Sequence, residues 1–279
     1  MNNKIHTCLW FNGQGKAAAE FYCSIFPNSR ITTDTPMVVN FEIEGKKVMT
    51  LNGGEQYKMN PAVSFYVSCE SVEQIDNYYS RLIEGGTALM PLDKYAWSER
   101  YGWVTDKFGT SWQLILDTSG KNRQKICTAL LFTGSQFGRA AEAMDFYTSV
   151  FPDAEIHTRS LYPAGHAETE GKLLYGEFSL SNELFIAMDG PGEHAFQFNP
   201  GNSIVVDCYD QAEIDLYWEK LTAGGKEVQC GWLEDKFSVS WQIIPAITFR
   251  LLSDPERRKR VMEVVQRSIK LNIQEMQDA

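Results

Sequence analysis

The sequence predicts an α+β fold of two tandem domains, each made of two strand–helix–strand modules, and three observations carry that reading. The segment YGWVTDKFGTSWQLI (101–115) returns as CGWLEDKFSVSWQII (230–244) with the same order and spacing. Three more segments of the first half also return: AAAEFYCSIFPNSRI (17–31) as EAMDFYTSVFPDAEI (142–156), FEIEGKKVMTLNGG (41–54) as FSLSNELFIAMDGP (178–191), and NPAVSFYVSCESVEQIDNYYSRLIEGGT (60–87) as NPGNSIVVDCYDQAEIDLYWEKLTAGGK (199–226). Within each half, strand-like runs and helical stripes alternate twice in the same order. A repeat this long marks a duplicated domain rather than a solenoid. The spacing between matching segments drifts, so loops differ while elements persist.

The elements follow in order. IHTCLWF is rich in strand formers, and Ala18, Phe21, Tyr22, Ile25 and Phe26 then fall on one helical face that Pro27 ends. MVVNFEIEG and KKVMTLN read as strands joined by a turn at Glu44–Gly45. AVSFYVSC reads as the next strand, and Val72, Ile75, Tyr78 and Leu82 line a helix that Gly85–Gly86 terminates. Strands at Tyr101–Thr105 and Ser111–Leu116 close on the turn DKFG. The polar stretch DTSGKNRQK (117–125) is the seam, which sets domains at 1–118 and 126–246 and a helical tail at 247–279. In the tail, Asp254 and Pro255 suit an N-cap and first helical position, and Val261, Val264, Val265 and Ile269 continue as a stripe expected to pack on the domains.

Composition excludes several function classes. Lys+Arg 26 against Asp+Glu 36 gives a net charge of -10, which repels a phosphate backbone, so no nucleic-acid partner is expected. No apolar run approaches the roughly 18 residues of a membrane span, and MNNKIHTCLWFNGQGK lacks the apolar core of a signal peptide, so a cytoplasmic chain with no membrane partner is expected. The 6 cysteines contain no CxxC pair and read as buried thiols rather than a disulfide frame or zinc site.

As a set, LNGG, FYxxxFP, NPAxSF, CGWLxDKF and SWQ resemble the PhnB-like proteins of the vicinal-oxygen-chelate (glyoxalase/bleomycin-resistance/extradiol-dioxygenase) superfamily. The resemblance covers both halves. It implies two tandem glyoxalase-like domains, each of two βαβββ modules curled into a cup, plus a C-terminal helix. The family also carries the label 3-demethylubiquinone 3-methyltransferase. A methyl-donor nucleotide site calls for a glycine-rich turn between a strand and a helix, and Gly13 and Gly15 in FNGQGKAAAEF supply only a lone GxG, which a tight turn explains.

Metal-binding members of the superfamily place His, Gln and Glu ligands on the first and last strands of each module. Carried over, those positions are His6, Thr50, Ser64 and Gln113 in the first copy and Cys127, Ala187, Ser203 and Gln242 in the second. Neither set holds a carboxylate, so no metal and no other cofactor is expected. The alternative is a metal-dependent lyase, isomerase or dioxygenase using His6 and Gln113, and a methyltransferase is a third reading. Strand alternation adds Trp10 beside His6 and Tyr66 beside Ser64. The expected ligand cup is therefore His6, Trp10, Thr50, Ser64, Tyr66 and Gln113, taking a small molecule, while the cup around Ala187 is expected to be a scaffold whose Gln242 bonds backbone or water. His6 reads as a ligand, a base or a satisfied core imidazole, and Cys127 as a nucleophile only if ionised. His157, His166 and His194 fall in loop-like sequence. No catalytic residue is assigned. Two copies in one polypeptide predict a monomer with an internal pseudo-dimer, or a weak homodimer.

Overall fold

The computed structural model describes residues 4–120, 124–165 and 167–279; His166 and part of the seam lie outside that range. The first module holds strands β1 (Ile5–Phe11), β2 (Arg30–Asp34), β3 (Val38–Ile43) and β4 (Lys46–Asn52) with helix α1 (Gly15–Ile25) after β1. The second holds β5 (Val63–Cys69), β6 (Thr87–Tyr95), β7 (Ser98–Thr105) and β8 (Ser111–Leu116) with α2 (Val72–Leu82). The third holds β9 (Ile126–Phe132), β10 (Glu155–Leu161), β11 (Leu173–Leu180) and β12 (Glu183–Asp189) with α3 (Ala140–Val150). The fourth holds β13 (Asn202–Cys208), β14 (Lys226–Glu227), β15 (Trp232–Glu234) and β16 (Ser240–Pro245) with α4 (Gln211–Thr222). Each module is thus βαβββ.

Local chemistry fixes the ends of these elements the same way in both copies. Ser71 caps α2 by accepting from the Gln74 N–H, and Gln74 Oε1 accepts in return from the Glu70 N–H. Asp210 and Glu213 repeat the arrangement at α4, with Tyr209 donating back to Glu213. The Glu44–Gly45 turn has φ of 47° and 82°, and its counterpart Ser181–Asn182 has 47° and 69°, the left-handed pair that a tight hairpin requires.

In every module the first strand runs parallel to the last, and the remaining pairs are antiparallel. Modules then join by their first strands. β1 pairs antiparallel with β13, and β5 with β9, giving sheets ordered β14-β15-β16-β13-β1-β4-β3-β2 and β10-β11-β12-β9-β5-β8-β7-β6. Each sheet therefore takes one module from each copy, and the boundaries expected at 1–118 and 126–246 do not divide the sheets. The physical reason is local. β8 ends beside the end of β5, and β9 starts beside that same end, with Val67 opposite Ile126. The seam has only to step across one strand.

The two large cores, by contrast, follow the copies. One gathers α1 and α2 with Trp112, Phe41 and Phe65, and takes only Ile126 from the second copy. The other gathers α3 and α4 with Trp241, Phe178 and Phe185, and takes only Ile5 and Val63 from the first. Where the sheets meet, Thr7 and Thr128, which are equivalent residues, share a 2.6 Å hydroxyl contact. Lys46 and Glu183 form a buried ion pair between β4 of the first sheet and β12 of the second, and Gln124 donates to the same carboxylate at 3.0 Å.

The repeated sentence containing DKF is a packing device. Asp106 accepts from the Trp112 indole at 2.9 Å and from the backbone N–H of Phe108 and Thr110, so one buried carboxylate holds both the turn and the largest core ring. Asp235 does the same for Trp241, Phe237 and Val239, and also accepts from the Tyr147 hydroxyl at 2.7 Å. In the first copy Thr110 stands where Val239 does, and it takes the equivalent Tyr22 hydroxyl at 2.9 Å.

The tail is three short helices rather than one: α5 (Thr248–Ser253), α6 (Arg258–Arg267) and α7 (Ile273–Asp278). Asp254 closes α5 and also accepts from the Glu256 N–H, while Pro255 prevents α5 from running on, so α6 starts only at Arg258. Leu251, Val261, Val264, Leu271 and Met276 bury themselves on Cys8, Met49, Val205 and Ile244, which lie on the concave face of the first sheet. Val265 is half-buried, and Ile269, past the end of α6, is 48% exposed.

Two predictions follow from this packing. Leu271→Ala is expected to lower stability by about 2–5 kcal/mol, read as a shift in the urea midpoint, while Ile269→Ala stays within about 0.5 kcal/mol. The second concerns pH. Burial pushes the Asp235 carboxyl up to about 6, against the pull of the Trp241 and Tyr147 hydrogen bonds. Its folded value lies above its unfolded one, so the native state binds the extra proton between about pH 4 and pH 6, and this group's contribution falls as pH rises through that window. Wild-type stability minus that of Asp235→Asn should drop by about 1–3 kcal/mol from pH 4 to pH 7. A rise instead would mean that its four donors hold the carboxylate ionised.

Candidate functional site

The two glutamines of the repeated sentence do the same thing. Gln113 Nε2 donates to Ser64 Oγ at 2.7 Å, and Gln242 Nε2 donates to Ser203 Oγ at 2.9 Å, each pair lying on neighbouring strands of one sheet. Gln242 therefore bonds a serine side chain, not backbone or water as expected. The copies differ at the amide oxygen. Gln113 Oε1 accepts from the Tyr101 hydroxyl at 2.8 Å, whereas the Cys8 thiol lies against Gln242 and Ser203.

Strand pairing splits the expected ligand set. His6 and Trp10 project from β1 in the first sheet, on the side of Ser203, Val205 and Gln242. Ser64, Tyr66 and Gln113 belong to the second sheet, beside Cys127. Thr50 lies in neither cup. β4 pairs with β1 so that Met49 is opposite Cys8 and Thr50 opposite Leu9, a core residue. A shift of one residue along a strand changes the face, so Met49 occupies the cup and Thr50 the helix side. There Thr50 donates to Val39 O at 3.3 Å and stands where a Cβ on Gly15 would be, 2.5 Å from it. The second copy repeats the shift: Ala187 joins the helix-side core and Ile186 faces the cup.

His6 is 1% exposed, and among the described residues neither ring nitrogen has a hydrogen-bond partner; Asp207 Oδ2 lies 3.6 Å from Nδ1. Burial, then the charges of Lys47 and Lys46, hold it well below the usual imidazole range, so it is neutral. Trp10 donates to Gly54 O at 2.8 Å and meets Tyr57 and Trp232 edge-on. A Cβ on Gly53 would fall 2.1 Å from the Trp10 ring, which explains the glycine in LNGG. The GxG turn is likewise packing: Gly13 has φ +79°, and the Gly15 N–H donates to Asn52 Oδ1 at 3.0 Å. His157 contacts Ser179 at 3.0 Å and His194 contacts Pro191 O at 3.1 Å, both away from the two glutamines.

The residues present do not fit a tightly held metal. In the second sheet the positions that the resemblance carries over from metal-binding members are Ser64, Gln113, Cys127 and, by the corrected register, Ile186. The amide is committed to Ser64 and Tyr101, and isoleucine offers no donor. The Cys127 thiol is pushed up to about 12, by burial first, with Lys46 opposing, so it stays protonated. His6 and Gln113, the alternative pair, stand on different sheets. Among the described residues no group of three or more His, Cys, Asp or Glu is arranged to hold an ion. All 6 cysteines are free, and Cys23 and Cys230 are only half-buried.

The two cups differ in what fills them. The tail occupies the first. The second keeps a cavity of about 220 Å³. Tyr66 and Cys127 line it from β5 and β9, and Leu184 and Ile186 form an apolar wall from β12. Of the expected ligand set only Tyr66 lines it; Ser64 and Gln113, on the same sheet, do not, while Asp117, Gln124, Tyr175 and Glu177, which sequence reasoning misses, do. Tyr175 and Glu177 follow the alternation of β11 and would have been legible once β11 was placed beside β12. Asp117 and Gln124 sit in the seam, where periodicity gives no signal. Tyr175 donates to Glu177 Oε1 at 2.6 Å, and its ring lies 6.1 Å from that of Tyr66.

Comparison with known proteins agrees with this architecture. The family model described as 3-demethylubiquinone-9 3-methyltransferase matches twice, over residues 3–115 and 124–244. A PhnB protein from Bacillus cereus, described with the same methyltransferase words, is 35% identical over 41% of this chain and 100% of its own, with a TM-score of 0.39. Glyoxalase I from Zea mays spans both halves: 88% of this chain and 92% of its own, at 11% identity and a TM-score of 0.56, a likeness of fold alone. No curated protein matches. With both halves matched by one family model, the chain belongs to the family which that model describes as 3-demethylubiquinone-9 3-methyltransferase, a label of family and not of activity, and it shares the tandem fold of glyoxalase I.

Proposed function

We propose that this protein binds a small molecule in the concave face of the second sheet, without a tightly bound metal. The observation that carries the reading is the inequality of the cups. One is filled by the chain's own C-terminal helices, and the other keeps an apolar wall, Leu184 and Ile186, facing converging polar groups. That combination is what small-molecule sites share. The protonated Cys127 thiol argues against nucleophilic chemistry at neutral pH. The donor set argues against a Lewis-acid lyase, isomerase or dioxygenase. Packing of the GxG turn by Thr50 and Asn52 argues against a nucleotide-type methyl-donor site there. Because two copies already pair within one chain, we expect the monomer to be sufficient for binding.

A thermal-shift screen of metabolites tests the site. Compounds that raise Tm of the wild type are expected to lose that effect in Ile186→Trp, which fills the second cup, and to keep it in Val261→Ala, under the first. The opposite pattern would move the ligand to the first cup. A second test compares the glutamines. For a confirmed hit, and with both variants shown to be folded, Gln113→Ala, which frees Ser64 and Tyr101 in the sheet that carries the cavity, should weaken affinity more than Gln242→Ala; each is expected to cost about 1–3 kcal/mol of stability through the serine it leaves unpaired. Equal losses of affinity would count against the second cup.

A further inference from the structure

We propose that the open cup of the second sheet selects a small organic cation, an ammonium group on a compact apolar body. This rests on the small-molecule reading above and adds the charge of the ligand. Two carboxylates line the cavity from different modules, Asp117 beyond β8 and Glu177 on β11. Neither forms an ion pair among the described residues, whereas the buried Glu183 and Asp207 are paired with Lys46 and Lys47. Asp117 accepts from the Ser119 N–H at 2.8 Å and Glu177 accepts from the Tyr175 hydroxyl, so both are oriented by neutral donors.

The rings of Tyr66 and Tyr175 face the same space, with planes 51° apart. Aromatic faces carry negative potential and attract a cation lying over them. Leu184 and Ile186 suit the methyl or methylene groups around such a nitrogen. Burial first, with Glu177 among the charges, pushes the Tyr66 and Tyr175 phenols above their usual range, so both rings are neutral. Lys46, whose charge reaches the lining residue Cys127, is already paired with Glu183. An anion would meet two carboxylates. A net charge of -10 further raises the local concentration of cations.

Three probes of one shape separate the possibilities: choline, its neutral counterpart 3,3-dimethylbutan-1-ol, and anionic 3,3-dimethylbutanoate, titrated calorimetrically into the full chain at low salt. Choline is expected to bind about tenfold or more tightly than the alcohol, and the carboxylate weakest. Glu177→Gln and Asp117→Asn should each weaken choline about fivefold or more and leave the alcohol unchanged. Having two such variants guards against one failing to fold, which circular dichroism would reveal. Equal or tighter binding of the alcohol or the carboxylate would overturn the cation while leaving the cup a binding site. Choline binding that survives Ile186→Trp would overturn it by placing the cation elsewhere. No choline binding at all would end the inference, with the metabolite screen then judging the cup independently.

Discussion

Antiparallel pairing of first strands across the copies, β1 on β13 and β5 on β9, is the constraint from which the rest of the molecule follows. A βαβββ module ends on one side in an open first strand, and an open edge must find backbone partners. Pairing across the copies meets that need twice. It also decides which side chains share a cup. His6 meets Gln242 rather than Gln113, and Cys127 meets Ser64 rather than Ser203. The hydrophobic cores take the other division and stay within each copy. The halves are therefore separate in their interiors and interlocked in their sheets.

What was legible in the sequence was local. Helices α1 to α4, the tight turns and the four modules came from periodicities and turn residues that operate over a few positions. The repeated Asp, Trp and Gln were legible as important because they recur, and the structure gives each a hydrogen-bond partner. Thr50 was misplaced because face depends on register, and register depends on a partner strand more than forty residues away. The composition of the cups was hidden for the same reason over a longer span, since a strand's alternation shows that it has two faces but not which strand lies beside it. The tail's stripe was visible, but its destination was not.

That destination separates two cups that duplicated sequence might have left alike in use. The first receives a plug of leucine, valine and methionine from the chain's end, and its imidazole is neutral beneath it. The second has no such plug and keeps tyrosines and carboxylates around a cavity. Duplication supplied two equivalent concave faces. The extension of one copy beyond its last strand turned one of them into structure.

Lys46 and Glu183 carry this divergence to the junction between the sheets. They occupy equivalent places, each directly after its hairpin turn, in the aligned segments FEIEGKKV and FSLSNELF. Thr7 and Thr128, also equivalent, meet as like with like, as residues on a symmetry axis do. The ion pair cannot be symmetric: two copies of the first half would bring lysine against lysine, and two copies of the second glutamate against glutamate, in a site with almost no water to screen them. Once fixed, such a pair gives each half a mate of the opposite kind, so the fused halves have become lock and key to one another and are no longer interchangeable.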